Sequence, residues 1–150
     1  MKIINEVKVV FDSRSVNESF ARIAVSGFLT QLDPTIDEIT DIKTAVSEAV
    51  TNSIVHAYPN KVGKIYISVK IFSNNEIEIV IKDRGVGIDN VEKAMEPMWT
   101  SLDNGERSGL GFSVMETFMD KISVKSKPGS GTTVKLRKRM SIRYKHVQGN

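Results

Sequence analysis

The chain has 150 residues, 40% apolar and 26% charged, the make-up of one globular domain with a single core and no room for a second. Its 21 basic and 18 acidic residues leave a formal charge of +3, a mild bias. The absence of cysteine excludes disulfides, thiolate metal sites and thiol catalysis.

Residues 6–12 set Val7, Val9 and Phe11 against Lys8 and Asp12, the alternation of a half-buried strand. Ser15-Val-Asn-Glu18 has the form of a capping box. The helix after it carries Phe20, Ile23, Ala24, Phe28 and Leu32 at helical spacing until Asp33-Pro34 breaks it. Thr35-Ile-Asp-Glu38 predicts a second capping box, opening a long amphipathic helix that runs to about Tyr58 and stops at Pro59-Asn60. Its stripe is Ile39, Ile42, Val46, Ala49, Val50 and Ile54. Two alternating strands follow, Ile65 to Ile71 and Ile77 to Ile81, with Ser73-Asn74-Asn75 as the turn of an antiparallel hairpin. Residues 89–96 predict a short helix ended by Pro97. The stretch 97–108 is polar and without period, so it reads as a mobile loop. Gly109 opens a third amphipathic helix through Phe112, Met115, Phe118 and Met119, and strands 121–126 and 132–138 complete the chain. The expected fold is α+β: a two-layer sandwich whose mixed, mostly antiparallel sheet has helices on one face.

No apolar run approaches membrane-spanning length, and Met1-Lys2 leads straight into a strand pattern with no signal peptide in view. A cytoplasmic protein is expected. Lys135, Arg137, Lys138, Arg139, Arg143 and Lys145 crowd the end of the chain, as a strand edge and a solvated tail would. Without an aromatic-lined basic face or a helix-turn-helix pattern, direct nucleic-acid contact is not expected.

Four segments carry chemistry. Glu48 and Asn52 stand four apart, on one edge of the long helix beside its apolar stripe. An Asn amide oxygen suits magnesium, a hard ion that favours oxygen ligands. A Glu one turn away can orient or deprotonate an incoming hydroxyl. His56 on the same edge reads first as a cap or packing residue. Asp83-Arg84-Gly85-Val86-Gly87-Ile88 ends a strand with a carboxylate able to accept from an adenine 6-amino group, where guanine offers only a carbonyl. Gly85 and Gly87 permit close backbone approach to a flat base. Gly109-Leu110-Gly111 heads a helix, where free amides favour phosphate oxygens. Arg107, just before it, has the planar fork that holds a terminal phosphate. Gly131-Thr132-Thr133 opens the last strand. There is no P-loop lysine motif and no protein-kinase signature set, which leaves an ATP-binding phosphotransferase of another fold.

This order of motifs resembles the GHKL (Bergerat) ATPase superfamily. A closer resemblance covers nearly the whole chain and is to the anti-sigma F family of spore-forming bacteria, small serine kinases. It runs through NESFAR (17–22), QLDPT (31–35), VSEAVTN (46–52), DRGVGI (83–88) and ERSGLGFSVMETFMD (106–120). The resemblance implies an anti-sigma factor that inhibits a sporulation sigma factor and uses Mg-ATP to phosphorylate an anti-anti-sigma protein on serine. It implies Glu48 as general base and Asn52 as magnesium ligand. Asp83, Gly85, Gly87, Gly109 and Gly111 would serve adenine and phosphates, Arg107 the terminal phosphate, and Thr132 the base pocket. Arg22 would lie on the surface shared by sigma factor and antagonist, and a homodimer is implied. Two positions depart from the family pattern: Arg84 stands where an acidic residue is common, and the segment near Thr100-Ser101 lacks a lysine. A general-stress anti-sigma kinase, or a nucleotide-gated binding switch without phosphotransfer, stand as alternatives. A histidine-kinase catalytic domain ranks below them.

Overall fold

Five segments with period-two patterning form strands: β1 (Ile3–Asp12), β2 (Lys64–Phe72), β3 (Glu76–Asp83), β4 (Lys121–Lys127) and β5 (Gly131–Arg139). The computed structural model describes residues 1–96 and 110–141. The expected 97–108 loop, Pro97, Arg107, Gly109, and Arg143 and Lys145 of the tail lie outside the described residues. The strands pair in the order β1-β2-β3-β5-β4. Every pairing among the described strands is antiparallel, where the sequence left room for a mixed sheet. Helices α1 (Asn17–Leu29), α2 (Ile36–Asn52), α3 (Val91–Ala94) and α4 (Phe112–Phe118) complete the chain, with α2 packed between α1 and α4.

The core is where the apolar stripe of α2 meets the inward positions of the sheet. Ile42, Val46 and Val50 share one buried cluster with Ile67, Ile79 and Ile81, and each such side chain removed from water contributes about 1.5–3 kcal/mol. In α1 the inward set is Ala21, Val25 and Leu29, while Phe20 and Ile23 are 47% and 66% exposed. The expected stripe held in part: Phe28 and Leu32 pack against the core, while the fully buried set lies one residue, about 100° of helix rotation, from Phe20 and Ala24. Both sets have helical spacing, and the small Ala21 lets α1 approach α2 closely.

The two capping boxes part ways. Thr35 and Glu38 form theirs: the Glu38 amide donates to Thr35 Oγ1 at 3.0 Å, and the Thr35 amide to Glu38 Oε1 at 2.9 Å. The other Glu38 oxygen accepts from the Ser141 amide at 2.8 Å, so one carboxylate ties the start of α2 to the chain beyond β5. Burial pushes the Glu38 carboxyl up, and the Thr35 and Ser141 bonds outweigh it, holding the group below the usual carboxylate range. Their stabilisation is present above the ordinary pKa and is lost as pH falls through the lowered one. Thr35→Ala is expected to destabilise the fold by about 1 kcal/mol, read as a lower Tm. At Ser15 no box forms. The N-cap is Val16, with no side-chain cap bond. Glu18 instead accepts from Arg22 Nε at 2.7 Å and Ser47 Oγ at 2.5 Å, stronger partners than a solvated helix start offers.

The long helix does not run regularly to Tyr58. It widens after Asn52 into a π-helical turn over Ser53–Ala57, a feature that recurs at functional sites. Tyr58 then fixes the exit: its hydroxyl donates to the Lys64 carbonyl at 2.6 Å and accepts from the Arg84 amide at 2.8 Å. Burial raises the Tyr58 pKa, against the opposing effect of the Arg84 amide, so the phenol stays a neutral donor.

Candidate functional site

Asp83 ends β3 and is only 4% exposed, a placement that demands partners for its carboxylate. Three donors meet it. Oδ1 accepts from the amides of Gly85 at 3.0 Å and Thr132 at 3.1 Å, and Oδ2 from Ser53 Oγ at 2.8 Å. A carboxylate has about four acceptor positions, so Oδ2 keeps one for a donor in the adjoining cleft.

That cleft, about 350 Å³ counted out into open solvent, is lined by Asn52, Ser53, His56, Asp83, Ile88 and Thr132, with Phe112 among its apolar walls. Apolar walls with a few convergent polar groups are the usual make-up of a small-molecule site. Its rim depends on two glycines. A Cβ on Gly85 would run into the Ala57 carbonyl, which accepts from the Val86 amide at 2.8 Å. Gly111 has φ +71° and caps α4 against Glu48, whose carboxylate a Cβ would strike. Gly87 lies at the cleft with Lys127 behind it. Thr132 Oγ1 is 2.8 Å from Ser126 Oγ, which also accepts from the Ile88 amide at 2.8 Å. Through Ser126 the two last strands grip the segment that follows Asp83.

Glu48 and Asn52 stand one turn apart on α2, both half-buried. Asn52 Nδ2 donates to the Leu110 carbonyl at 2.5 Å, which makes the amide oxygen the atom Asn52 can offer a cation. Arg84 points to the opposite side of the sheet, its guanidinium 4.8 Å from the Tyr66 ring centre, as the alternation beyond Asp83 implies.

Arg22 lies outside the cleft, on α1. Its guanidinium donates to both Glu18 oxygens, at 2.7 and 3.3 Å, and Glu18 reaches Ser47, the neighbour of Glu48. Burial raises the Glu18 carboxyl, and the bonds from Arg22 and Ser47 override it, holding the group below its ordinary value. An open groove of about 760 Å³ runs between α1 and α2 from Arg22 to Glu48.

The structure therefore gathers Asn52, Asp83, Gly87 and Thr132 at one cleft, with Glu48, Gly85 and Gly111 at its edge, and sets Arg22 apart. Arg107 and Gly109 lie outside the described residues. Sequence reasoning passed over Ser53 and Ser126 and read His56 first as a cap or packing residue with its role open; His56 lines the cleft. Ser53 had a signal, a small polar residue on the inward side of an apolar helix. Ser126 had none short of knowing how β4 pairs with β5.

An antiparallel sheet backed by helices, with a buried strand-end carboxylate at a cleft under α2, is the arrangement of histidine kinase-like ATPase domains, and the model of that family matches residues 11–138. Solved structures agree on the fold. The RsbU and RsbW domains of a Mycobacterium tuberculosis protein superpose with TM-score 0.69 at 20% identity over 96% of this chain, which spans 35% of that longer one. A blue-light activated histidine kinase domain from Erythrobacter litoralis gives 0.55 at 16% identity over 82% of this chain and 60% of its own. Among curated relatives, the chain is 54% identical to the anti-sigma F factor of Clostridium beijerinckii, over 92% of this chain and 96% of that one. It is 51% identical to the anti-sigma F factor of Priestia megaterium, over 91% and 94%. The chain belongs to the anti-sigma F factor family.

Proposed function

We propose that the protein is an anti-sigma factor that binds Mg-ATP in this cleft and phosphorylates an anti-anti-sigma protein on serine. The observation that carries the reading is the Asp83 cradle. Its one remaining acceptor position suits the 6-amino group of adenine and repels the guanine carbonyl. Gly85, Gly87 and Thr132 surround the base pocket, and Gly109, Gly111 and Arg107 serve the phosphates. Among the described residues no three His, Asp or Glu side chains converge as a metal site. Magnesium would therefore rest on Asn52, nucleotide phosphates and water, the usual pattern for this ion. When bound, it neutralises phosphate charge. The serine oxygen attacks the terminal phosphorus, the bond to ADP breaks, and Glu48 takes the hydroxyl proton.

The names of the relatives, anti-sigma F factors, support a sigma factor as the protein captured; the family resemblance adds that it is a sporulation sigma factor and that the surface is the one around Arg22. A homodimer is supported by the edge strand β1, where Ile4 and Val10 are exposed beside unpaired backbone groups. No helix among the described residues is long and apolar enough to cross a membrane. The deciding experiment incubates the protein with labelled ATP and a purified antagonist. Label on one antagonist serine is the expected result. ATP binding without transfer would leave a nucleotide-gated switch in its place.

Arg22→Ala is expected to weaken capture of sigma factor and antagonist together, each by about 2 kcal/mol or more, with ATP affinity unchanged. Among the described residues its guanidinium is bonded only to Glu18, within α1, so a melting curve close to wild type accompanies the loss. Retained capture of both partners by the folded variant would refute the shared surface.

A further inference from the structure

The side of the sheet facing away from the helices carries a segregated charge. Strand register sets Lys121 of β4 beside Arg137, and Lys125 beside Thr133, with Lys135 and Arg139 at the alternate outward positions of β5. Neither strand contains a carboxylate. The counter-charges come from β3. Glu78, 6% exposed, meets Arg137 Nε at 3.3 Å, with Lys135 and Lys70 at 3.9 and 4.0 Å. Glu76 pairs with Arg137 and Arg139, each at 3.0 Å. These pairs hold the arginines flat on the sheet. Lys121, Lys125 and Lys82, on the same face, have no acidic partner among the described residues. A broad, open depression lies over Glu76, Glu78, Asp120, Lys121, Lys135 and Arg137. Six basic residues of this face, Lys82, Lys121, Lys125, Lys135, Arg137 and Arg139, against Glu76, Glu78 and Asp120 match the formal charge of +3 of the whole chain, so the chain's net positive charge is concentrated here.

We propose that the outer face of β3, β4 and β5 binds duplex DNA through its phosphates, without reading sequence. Three observations select this occupant. No large apolar side chain of these three strands is strongly exposed, so the face lacks the desolvated apolar centre of a protein interface. Its like charges oppose a second copy of itself. The nearby rings are already covered, Tyr66 by Arg84 at 4.8 Å and Phe72 by Arg137 at 5.2 Å, so splayed bases of a single strand find no ring to stack on. A duplex keeps its bases inside and presents phosphates outward. Lys121 and Lys125, four residues apart on β4, stand about 13 Å from each other, with Lys135, Arg137 and Arg139 at steps of about 7 Å on β5, about 4.8 Å away, a patch of cations for such a backbone. The sequence argued against nucleic acid for want of an aromatic-lined basic face and a helix-turn-helix pattern, and a phosphate-binding face needs neither. The face exists only once β3, β5 and β4 lie side by side. No cleft residue takes part, so the proposal stands apart from the phosphotransfer reading.

The test is fluorescence anisotropy with a short labelled DNA duplex at about 50 and 200 mM salt. Wild-type protein should bind at low salt and lose affinity steeply as salt rises. The double variant Lys121→Glu/Lys125→Glu should lose on the order of tenfold or more in affinity, with a salt slope shallower by about two. Lys121→Arg/Lys125→Arg should bind like wild type. ATP affinity and Tm of both variants should match wild type, since the altered positions lie across the sheet from the cleft. Absent binding, binding indifferent to salt or to the charge reversal, or tighter binding of a single strand would overturn the assignment. So would displacement of the duplex by polyglutamate or by anionic phosphatidylserine vesicles at equal charge, which would mark an acidic-protein or membrane surface.

Discussion

Asp83→Asn is expected to weaken ATP binding by about 1–3 kcal/mol, measured by titration calorimetry, while the protein stays folded. The cradle explains both halves of this result. An asparagine oxygen in the place of Oδ1 still accepts from the Gly85 and Thr132 amides. Its NH2 group then replaces Oδ2 and faces Ser53, whose hydroxyl can turn from donor to acceptor. The adenine amino group has no such freedom and meets a donor where it needs an acceptor. Unchanged ATP affinity would remove adenine from the Asp83 side of the cleft. A melting curve run in parallel separates lost recognition from lost fold.

Glu48→Gln should leave ATP affinity near wild type and lower the rate of transfer to serine by roughly 10²–10⁴. Glutamine keeps the length and shape that pack against Gly111 and removes only the capacity to take a proton. Single-turnover transfer at saturating ATP isolates that step. A rate close to wild type would make Glu48 a packing residue at the rim. Loss of ATP affinity instead would place its carboxylate among the nucleotide contacts.

What the sequence disclosed follows the range of the interactions involved. The β2–β3 hairpin was legible because alternation and a three-residue turn are local. So was the Thr35–Glu38 box, whose two bonds span three residues. The same pattern at Ser15–Glu18 misled because Ser47, 29 residues away, takes the Glu18 carboxylate. Helical spacing marked α1 as amphipathic but left its rotation open, and packing against α2 chose Ala21 over Phe20. Asp83, Glu48 and Asn52 stood out by side-chain chemistry and Thr132 by the family resemblance alone, and Asn52, Asp83 and Thr132 do meet at one cleft. Their supports were not legible. Ser53 reaches Asp83 through a widened turn that a 3.6-residue period does not foresee. Ser126 meets Thr132 only because β4 and β5 pair at that register.

That widened turn constrains how the chain can diverge. Between Asn52 and Tyr58, three attachments must be met in order: Ser53 to Asp83, the Ala57 carbonyl to Val86, and Tyr58 to Lys64 and Arg84. Side-chain identity within the span is partly free, as Val55 is 58% exposed. Residue number is not. Deleting Ser53 or Tyr58 would remove an attachment outright, and deleting a position between them would close the wide turn to regular helix and change the spacing that now sets Ser53, the Ala57 carbonyl and Tyr58 on their partners. Viable descendants of this chain should therefore accumulate substitutions here and no insertions or deletions, so the segment keeps its length even where its spelling drifts.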